Sequence, residues 1–336
     1  MYIVKRVGQA LLTFVAVVSV TFALVRAMPG GPADFIRAKV MRSGGSDEIS
    51  MSEINSLTET YTNIDPSTPM HVQYFNYVSS VLQGDLGESI WYNKPVAEIL
   101  IDAAPWTIFL LSVSILLTFG IGIVLGAVMA YLEGTKFDGA STIGSMFLNS
   151  VPYYVAAIFM VYIVSIQLGF LPQSGRFDAA LQPALTVEFV SSMLRHAVLP
   201  IVSLVITGFG GVAITMRGNA IQEIGEDYIR VAHLRGVPGR RIATRYVGRN
   251  AILPMYTNFM ISIGFMFGGS VILEQIFAYE GLGYYLLDAI NSKDYPLMMG
   301  GFLLISFAVL VCILVADLTY SKIDPRISDT GSREAY

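Results

Sequence analysis

Reactive side chains are few in this chain, and their spacing rules out most chemistry. The three histidines, His71, His196 and His233, stand far apart, so no ligand cluster for a metal can be drawn from them. Cys312 is the single cysteine and lies in an apolar run, which excludes a disulfide within the chain. No G-x-x-x-x-G-K-[ST] phosphate loop occurs: Gly134-Thr135-Lys136 and the cluster from Gly208 to Gly211 both lack it. The chain is therefore expected to hydrolyse no nucleotide by itself, and no nucleophile with a matching base marks a catalytic site. What remains is charge. Between Met216 and Pro254 stand Arg217, Arg230, Arg235, Arg240, Arg241, Arg245 and Arg249, against Glu223, Glu226 and Asp227. A stretch of this kind can grip a partner or fix an orientation, but it does no covalent chemistry.

The elements that position these charges follow from the pattern. Apolar runs flank the basic stretch, and basic residues between spans are retained in the cytoplasm, so the stretch is expected to face inward. Ile221, Ile224, Tyr228, Val231 and Ala232 recur at three- and four-residue spacing, which predicts one apolar stripe on a short helix. Gly236 offers the left-handed conformation that ends a helix, and Pro238 just beyond it is a stop and a new start. Arg240 to Arg249 then form a basic second helix leading into the next apolar run. An arginine-rich loop that only sets topology needs neither stripe nor glycine break. The pattern favours a docking surface.

With 336 residues, 54% hydrophobic and 14% charged, and a mean hydropathy of +0.60, the chain is expected to be an all-α polytopic membrane protein. Lys5 and Arg6 precede an apolar run to Ala27 of about 20 residues, longer than the core of a cleaved leader and enough to span a bilayer. Further spans are expected at roughly 105–131, 142–168, 196–216, 251–273 and 300–320, about six in all, each near the length a bilayer core requires. Residues 1–27 then form the first span and 28–103 an outer segment. Residues 104–320 form a core of five spans carrying the inner loop 217–250, and 321–336 form a tail, with both termini inside. Pro29-Gly30-Gly31-Pro32 breaks the first helix, and Ser43 to Ser52 reads as a mobile excursion. His71, Val72, Tyr74, Phe75, Tyr77 and Val78 predict an amphipathic helix, followed by a turn at Gly84-Asp85-Leu86-Gly87. This outer segment can be a cap, a contact for an external binding protein, or both. Gly122/Gly126 and Gly264/Gly268 form G-x-x-x-G pairs that permit close helix approach, expected within the chain. Glu274 and Asp317 stand near span ends, and no buried relay of ionisable groups of the kind an ion-coupled carrier uses can be traced.

The stretch Asp227-Tyr228-Ile229-Arg230-Val231-Ala232, followed by His233-Leu234-Arg235-Gly236, resembles the EAA loop of ABC importer permeases. Through Arg249-Asn250-Ala251-Ile252-Leu253-Pro254 the likeness is to the B-type subunit of the dipeptide/oligopeptide (peptide/nickel) family, whose proline also lies further from the glycine than in shorter permeases. Similar features recur along the chain: Gln83-Gly84-Asp85-Leu86-Gly87, Pro105-Trp106-Thr107, Ser150-Val151-Pro152, Leu168 to Gly175, Glu274-Gln275-Ile276-Phe277, Asp294-Tyr295-Pro296 and Asp324-Pro325-Arg326. The resemblance implies a permease in the cell (inner) membrane and a binding-protein-dependent importer of di- or oligopeptides. The same architecture can carry oligosaccharides or nickel complexes. The implied partners are a second, C-type permease, two ATPase subunits that hold ATP and Mg, an extracytoplasmic solute-binding protein and membrane lipid, with no nucleic acid. No cofactor is implied on this chain. Glu226, Asp227, Tyr228, Ala232, Arg235 and Gly236 are the implied ATPase-coupling residues, and no substrate-binding residue can be assigned. A stand-alone secondary transporter or channel is the reading from another class, and a membrane anchor for a cytoplasmic complex is a third.

Overall fold

The computed structural model describes residues 2–27, 36–37, 50–266 and 270–323. The Pro29–Pro32 break, most of the 43–52 excursion, Gly268 and Asp324-Pro325-Arg326 lie outside the described residues, as does the side chain of Asp317. Among the described residues the regular structure is helical, with one isolated antiparallel bridge between Glu88 and Pro95. Helices α1 (Tyr2–Ala27), α2 (Met51–Thr62) and α3 (Met70–Leu82) precede the long α4 (Val96–Tyr131). Then come α5 (Lys136–Ser150), α6 (Tyr153–Gln167, its second half wound as a π-helix), α7 (Val187–Ile224) and the short α8 (Asp227–Leu234). Helices α9 (Gly248–Met266), α10 (Val271–Ile276), α11 (Leu282–Ser292) and α12 (Tyr295–Ile323) complete the order.

Among the described residues four helices are long and apolar enough to cross a membrane: α1 over Arg6–Leu24, α4, α7, and α12 over Tyr295–Val315. The protein is thus a multi-pass membrane protein. The expected span at 142–168 is instead a bent pair, α5 and α6, whose axes differ by 88°. It makes a fifth crossing if the pair counts as one span. The cause is Pro152: the residue before a proline is pushed out of the helical region, and Val151 has ψ 121°. The expected span at 251–273 is represented by α9, whose 19 residues begin Gly248-Arg249-Asn250 and fall below a spanning helix in apolar content.

The chain divides into two compact units. One comprises Met1–Thr107, Phe267–Val271 and Glu280–Tyr336. Its core joins Val18 and Phe22 of α1, Tyr77 of α3, and Met299 and Leu303 of α12. The predicted amphipathic helix is α3, with Tyr77 buried inward and the Tyr74 hydroxyl 2.7 Å from Ser19 Oγ. The turn after it needs glycine: Gly87 has φ +79°, and a Cβ there would lie 2.1 Å from the Tyr61 carbonyl oxygen. The loop from Gly87 to Lys94 is then tied to the start of α12 by a buried carboxylate. Asp294 accepts from Ser89 Oγ at 2.5 Å, from the Trp91 amide at 2.9 Å and from the Leu297 amide at 3.2 Å. Tyr92 donates to Asp288 at 2.6 Å, and burial followed by that carboxylate raises its hydroxyl above the usual range.

The other unit comprises Ile108–Met266 and Ile272–Tyr279. Both glycines of the first G-x-x-x-G pair face α7. A Cβ at Gly122 would lie 2.6 Å from Val212 Cβ, and one at Gly126 would lie 2.3 Å from the Ala213 carbonyl oxygen. The pair therefore serves packing within the chain. The loop after α6 is joined to the residue just past α10 by the Gly175 amide, which donates to the Phe277 carbonyl at 2.8 Å.

The Asp294 clasp generates a prediction. Asp294→Ala leaves buried donors without an acceptor, at about 1–3 kcal/mol each. Chymotryptic cleavage after Trp91 and Tyr92 in detergent-solubilised protein is expected to accelerate at least about tenfold. An unchanged rate would show that the loop is held by something else.

Candidate functional site

The basic stretch folds onto the ends of three helices. Helix α7 stops at Ile224 with Gly225 as its C-cap, and Glu226 takes extended backbone (φ −73°, ψ 144°) to start α8. Asp227 occupies the first turn, where a helix favours negative charge, and His233 the last. Helix α8 closes on Gly236 at φ +69°. The Gly236 amide donates to the His233 carbonyl at 2.9 Å, and the Val237 amide donates to the Ala232 carbonyl at 3.2 Å. This is the Schellman arrangement, which satisfies carbonyls that would otherwise be left at the helix end. Pro238 then starts the turn Gly239–Arg241, which continues through a π-helical Ile242–Val247 into α9.

The inward face of α8 is Ile229 and Ala232, packed with Ala130 of α4, Met216 and Ala220 of α7, Ile242, Val247, and Ala251 and Met255 of α9. The expected stripe of Ile221, Ile224, Tyr228, Val231 and Ala232 therefore does not form on one helix. Gly225 and Glu226 break it, and α8 restarts with a different phase. Ala232, expected at the coupling seat, is inside at 4% exposure. Tyr228 is half-exposed and bound within the module: its hydroxyl donates to the Glu223 carboxylate, and Asn250 Nδ2 donates to the Tyr228 oxygen at 2.7 Å. Burial, then the bond to Glu223, raises the Tyr228 hydroxyl above its usual range, so it stays a donor. One three-residue set thus joins the last turn of α7, the first turn of α8 and the start of α9. Asn219 adds a bond from Nδ2 to the Ala251 carbonyl at 3.2 Å.

Facing outward are Glu226, Asp227, Arg230, Val231, His233, Leu234, Arg235 and Gly236. Leu234 is 81% exposed and Val231 46%. Beside them Arg240, Arg241, Arg245, Pro238 and Thr244 line a cleft of about 470 Å³. The arrangement is an apolar knob of two side chains ringed by charges of both signs, on a helix fixed from behind. It suits recognition by a complementary protein pocket, where a buried anchor is surrounded by a polar rim. Sequence reasoning missed Leu234 and Asn250. Leu234 could have been found from the order of types, since Ile229 and Ala232 share a face and Leu234 falls on another. Asn250 carried no local mark. Among the described residues no three His, Cys, Asp or Glu side chains come together as a metal site would require.

Comparison with known proteins places this geometry in context. Residues 122–329 match the model of a family described as "Binding-protein-dependent transport system inner membrane component". The oligopeptide transport system permease protein AppB of Bacillus subtilis (strain 168) is 30% identical over 328 residues, covering 97% of this chain and 98% of its own. The di/tripeptide transport system permease protein DppB of Pseudomonas aeruginosa (strain UCBPP-PA14) is 29% identical over 339 residues, covering 97% and 98%. The probable D,D-dipeptide transport system permease protein DdpB of Escherichia coli (strain K12) is 30% identical over 341 residues, covering 97% of each chain.

Gly236 tests the module's construction. Its Cβ position is open, so substitution strains the backbone without a clash. Gly236→Val is expected to raise amide hydrogen exchange over residues 227–237 at least about tenfold, equivalent to about 1.4 kcal/mol of local stability. Gly236→Asn, which tolerates the left-handed region, is expected to stay close to the native rate. Equal exchange in the Val variant and the native protein would contradict the closure described.

Proposed function

Since the chain belongs to the family of binding-protein-dependent transport system inner membrane components, we propose that it is the B-type permease subunit of an ATP-driven importer of di- or oligopeptides. The substrate class rests on the relatives, which are named as oligopeptide, di/tripeptide and D,D-dipeptide permeases. In this reading a second, C-type permease completes the translocation path. Two ATPase subunits bind ATP and Mg on the inner side, and a solute-binding protein delivers the peptide outside.

The observation that carries the reading is the fixed outward face of α8. Leu234 and Val231 project from a helix locked at both ends, with arginines alongside. We assign Asp227, Arg230, Val231, Leu234 and Arg235 to direct contact with the ATPase. Glu226 and Gly236 shape the two helix ends, and Tyr228 and Ala232 hold the helix to the rest of the chain. The arginines place the loop 217–250 in the cytoplasm, by the retention of basic residues on that side. The EAA-type loop then lies between the fourth and fifth of six crossings. The bent α5–α6 pair is the third, and α9 is the fifth. Both termini face the cytoplasm. When the ATPases close, α8 is displaced as a rigid piece and carries the inner end of α7 with it. Each transport state is favoured by its own set of contacts.

The test is native mass spectrometry of complexes drawn from their own membranes through a tag on this chain. The wild-type protein is expected to bring a second permease and ATPase subunits. Leu234→Asp is expected to lower ATPase content at least about tenfold, through loss of a buried anchor, while the second permease stays. Full ATPase content in Leu234→Asp would contradict the assigned seat, and a wild-type chain arriving alone would contradict the importer.

A further inference from the structure

Arg217 belongs to the basic stretch by sequence, yet the fold sets it apart from the others. It sits on α7, and its guanidinium meets the Asp138 carboxylate as a two-pronged fork, Nε to Oδ1 at 2.6 Å and Nη2 to Oδ2 at 2.7 Å. Asp138 lies in the first turn of α5, buried at 4% exposure. It also accepts from the Gly134 amide at 3.1 Å, and its own amide donates to the Thr135 hydroxyl at 3.3 Å. The carboxylate is therefore fixed at a helix N-terminus by the backbone and presents both oxygens to the arginine. A lysine could not reproduce that fork.

The same two helices touch again further along. A Cβ at Gly210 would lie 2.3 Å from the Ser145 carbonyl oxygen, and one at Gly211 would lie 2.8 Å from Asn149 Oδ1. Ser145 is seven residues after Asp138, and Gly210 is seven before Arg217. Two turns, about 10.5 Å, thus separate the levels on both helices, which run antiparallel. One level is a backbone-to-backbone approach that sets the distance. It does little to resist sliding along the axes. The ion pair at the other level does resist it, because a fork has one register. Arg217 stands six residues, just under two turns, before Glu223, which is bonded to Tyr228 of α8. Asp138 stands at the far end of α5 from the Val151–Pro152 bend.

We propose that Asp138 and Arg217 are a positioning pair for transport. Their fork makes α5 and α7 one rigid body, so that displacement of the Asp227–Leu234 helix reaches the bend at Val151–Pro152 and is not absorbed by slippage of α5 along α7. This rests on the importer reading above. A pair serving stability alone predicts something different: fewer assembled complexes, each moving the same amount of peptide per ATP.

The complete complex in proteoliposomes separates these outcomes, with uptake of radiolabelled trialanine and ATP hydrolysis measured in the same vesicles. Arg217→Gln and Asp138→Asn are each expected to lower trialanine moved per ATP at least fivefold. Arg217→Lys is expected to fall between them and the native protein. The exchange Asp138→Arg with Arg217→Asp is expected to recover part of the loss. Only the ATP hydrolysis added by peptide-loaded binding protein is counted, which confines the ratio to assembled complexes and separates it from a folding defect. A native ratio in Arg217→Gln overturns the proposal. Spin labels at Ile143 and Gln222 provide the second readout: a narrow distance distribution in the native complex and a broadened one in Arg217→Gln. A distribution that stays narrow in Arg217→Gln also overturns it. If the native complex hydrolyses ATP but moves no trialanine, the peptide reading fails, and the spin-label distances alone decide whether the pair locks the helices.

Discussion

An eight-residue helix does not persist in water on its own intramolecular bonds, because nucleation costs more than so few residues return. The Asp227–Leu234 helix exists because both of its ends are tied. At its start, Tyr228 is held between Glu223 and Asn250. At its end, Gly236 turns left-handed so that two amides close back onto the last carbonyls. Ile229 and Ala232 add apolar burial along one side. With those three anchorages the opposite side can expose Leu234 without the helix unravelling. A rigid apolar knob on a charged rim suits a complementary pocket on a partner. The proposed function follows from that fit together with the family.

Within each compact unit the same economy recurs: polar groups are placed where a backbone or side-chain partner is already fixed. Three donors converge on the two oxygens of the buried Asp294 carboxylate. That arrangement anchors a loop from early in the chain to the start of the last helix. In the other unit, small residues let α4 and α5 approach α7 to backbone contact at Gly122, Gly126 and Gly210. Close approach of this kind suits a medium in which apolar side chains gain nothing by leaving lipid, so packing and hydrogen bonds decide the contacts. Charge appears inside this packing at the Asp138–Arg217 fork, where both partners are satisfied.

Much of this was legible in the residues, and the failures have definite causes. Long apolar runs identified α1, α4, α7 and α12, because a bilayer imposes a length that composition reveals directly. The left-handed close at Gly236 was legible because so few residue types serve there. The stripe through Ile221 and Tyr228 was misread, since periodicity counted across Gly225 assumes a continuous helix where the chain in fact restarts. The third span was drawn straight because hydropathy averages over Val151–Pro152 and is blind to an 88° bend. Asp138 with Arg217, and Tyr228 with Asn250, could not be read at all. Their partners are far apart in the chain, and one sequence holds no record of which distant residues meet. Fold and candidate module were thus visible in outline, while the bonds that make the module rigid were not.

The central claim is that the outward face of the Asp227–Leu234 helix seats in an ATPase subunit. Replacing Leu234 with photoreactive benzoylphenylalanine in the complete complex tests it most directly, with Phe75, exposed on α3, replaced in the same way as a control. The account predicts that illumination links position 234 to an ATPase subunit in high yield and links position 75 to none. Cross-links from position 234 only to lipid or to another permease chain would contradict it.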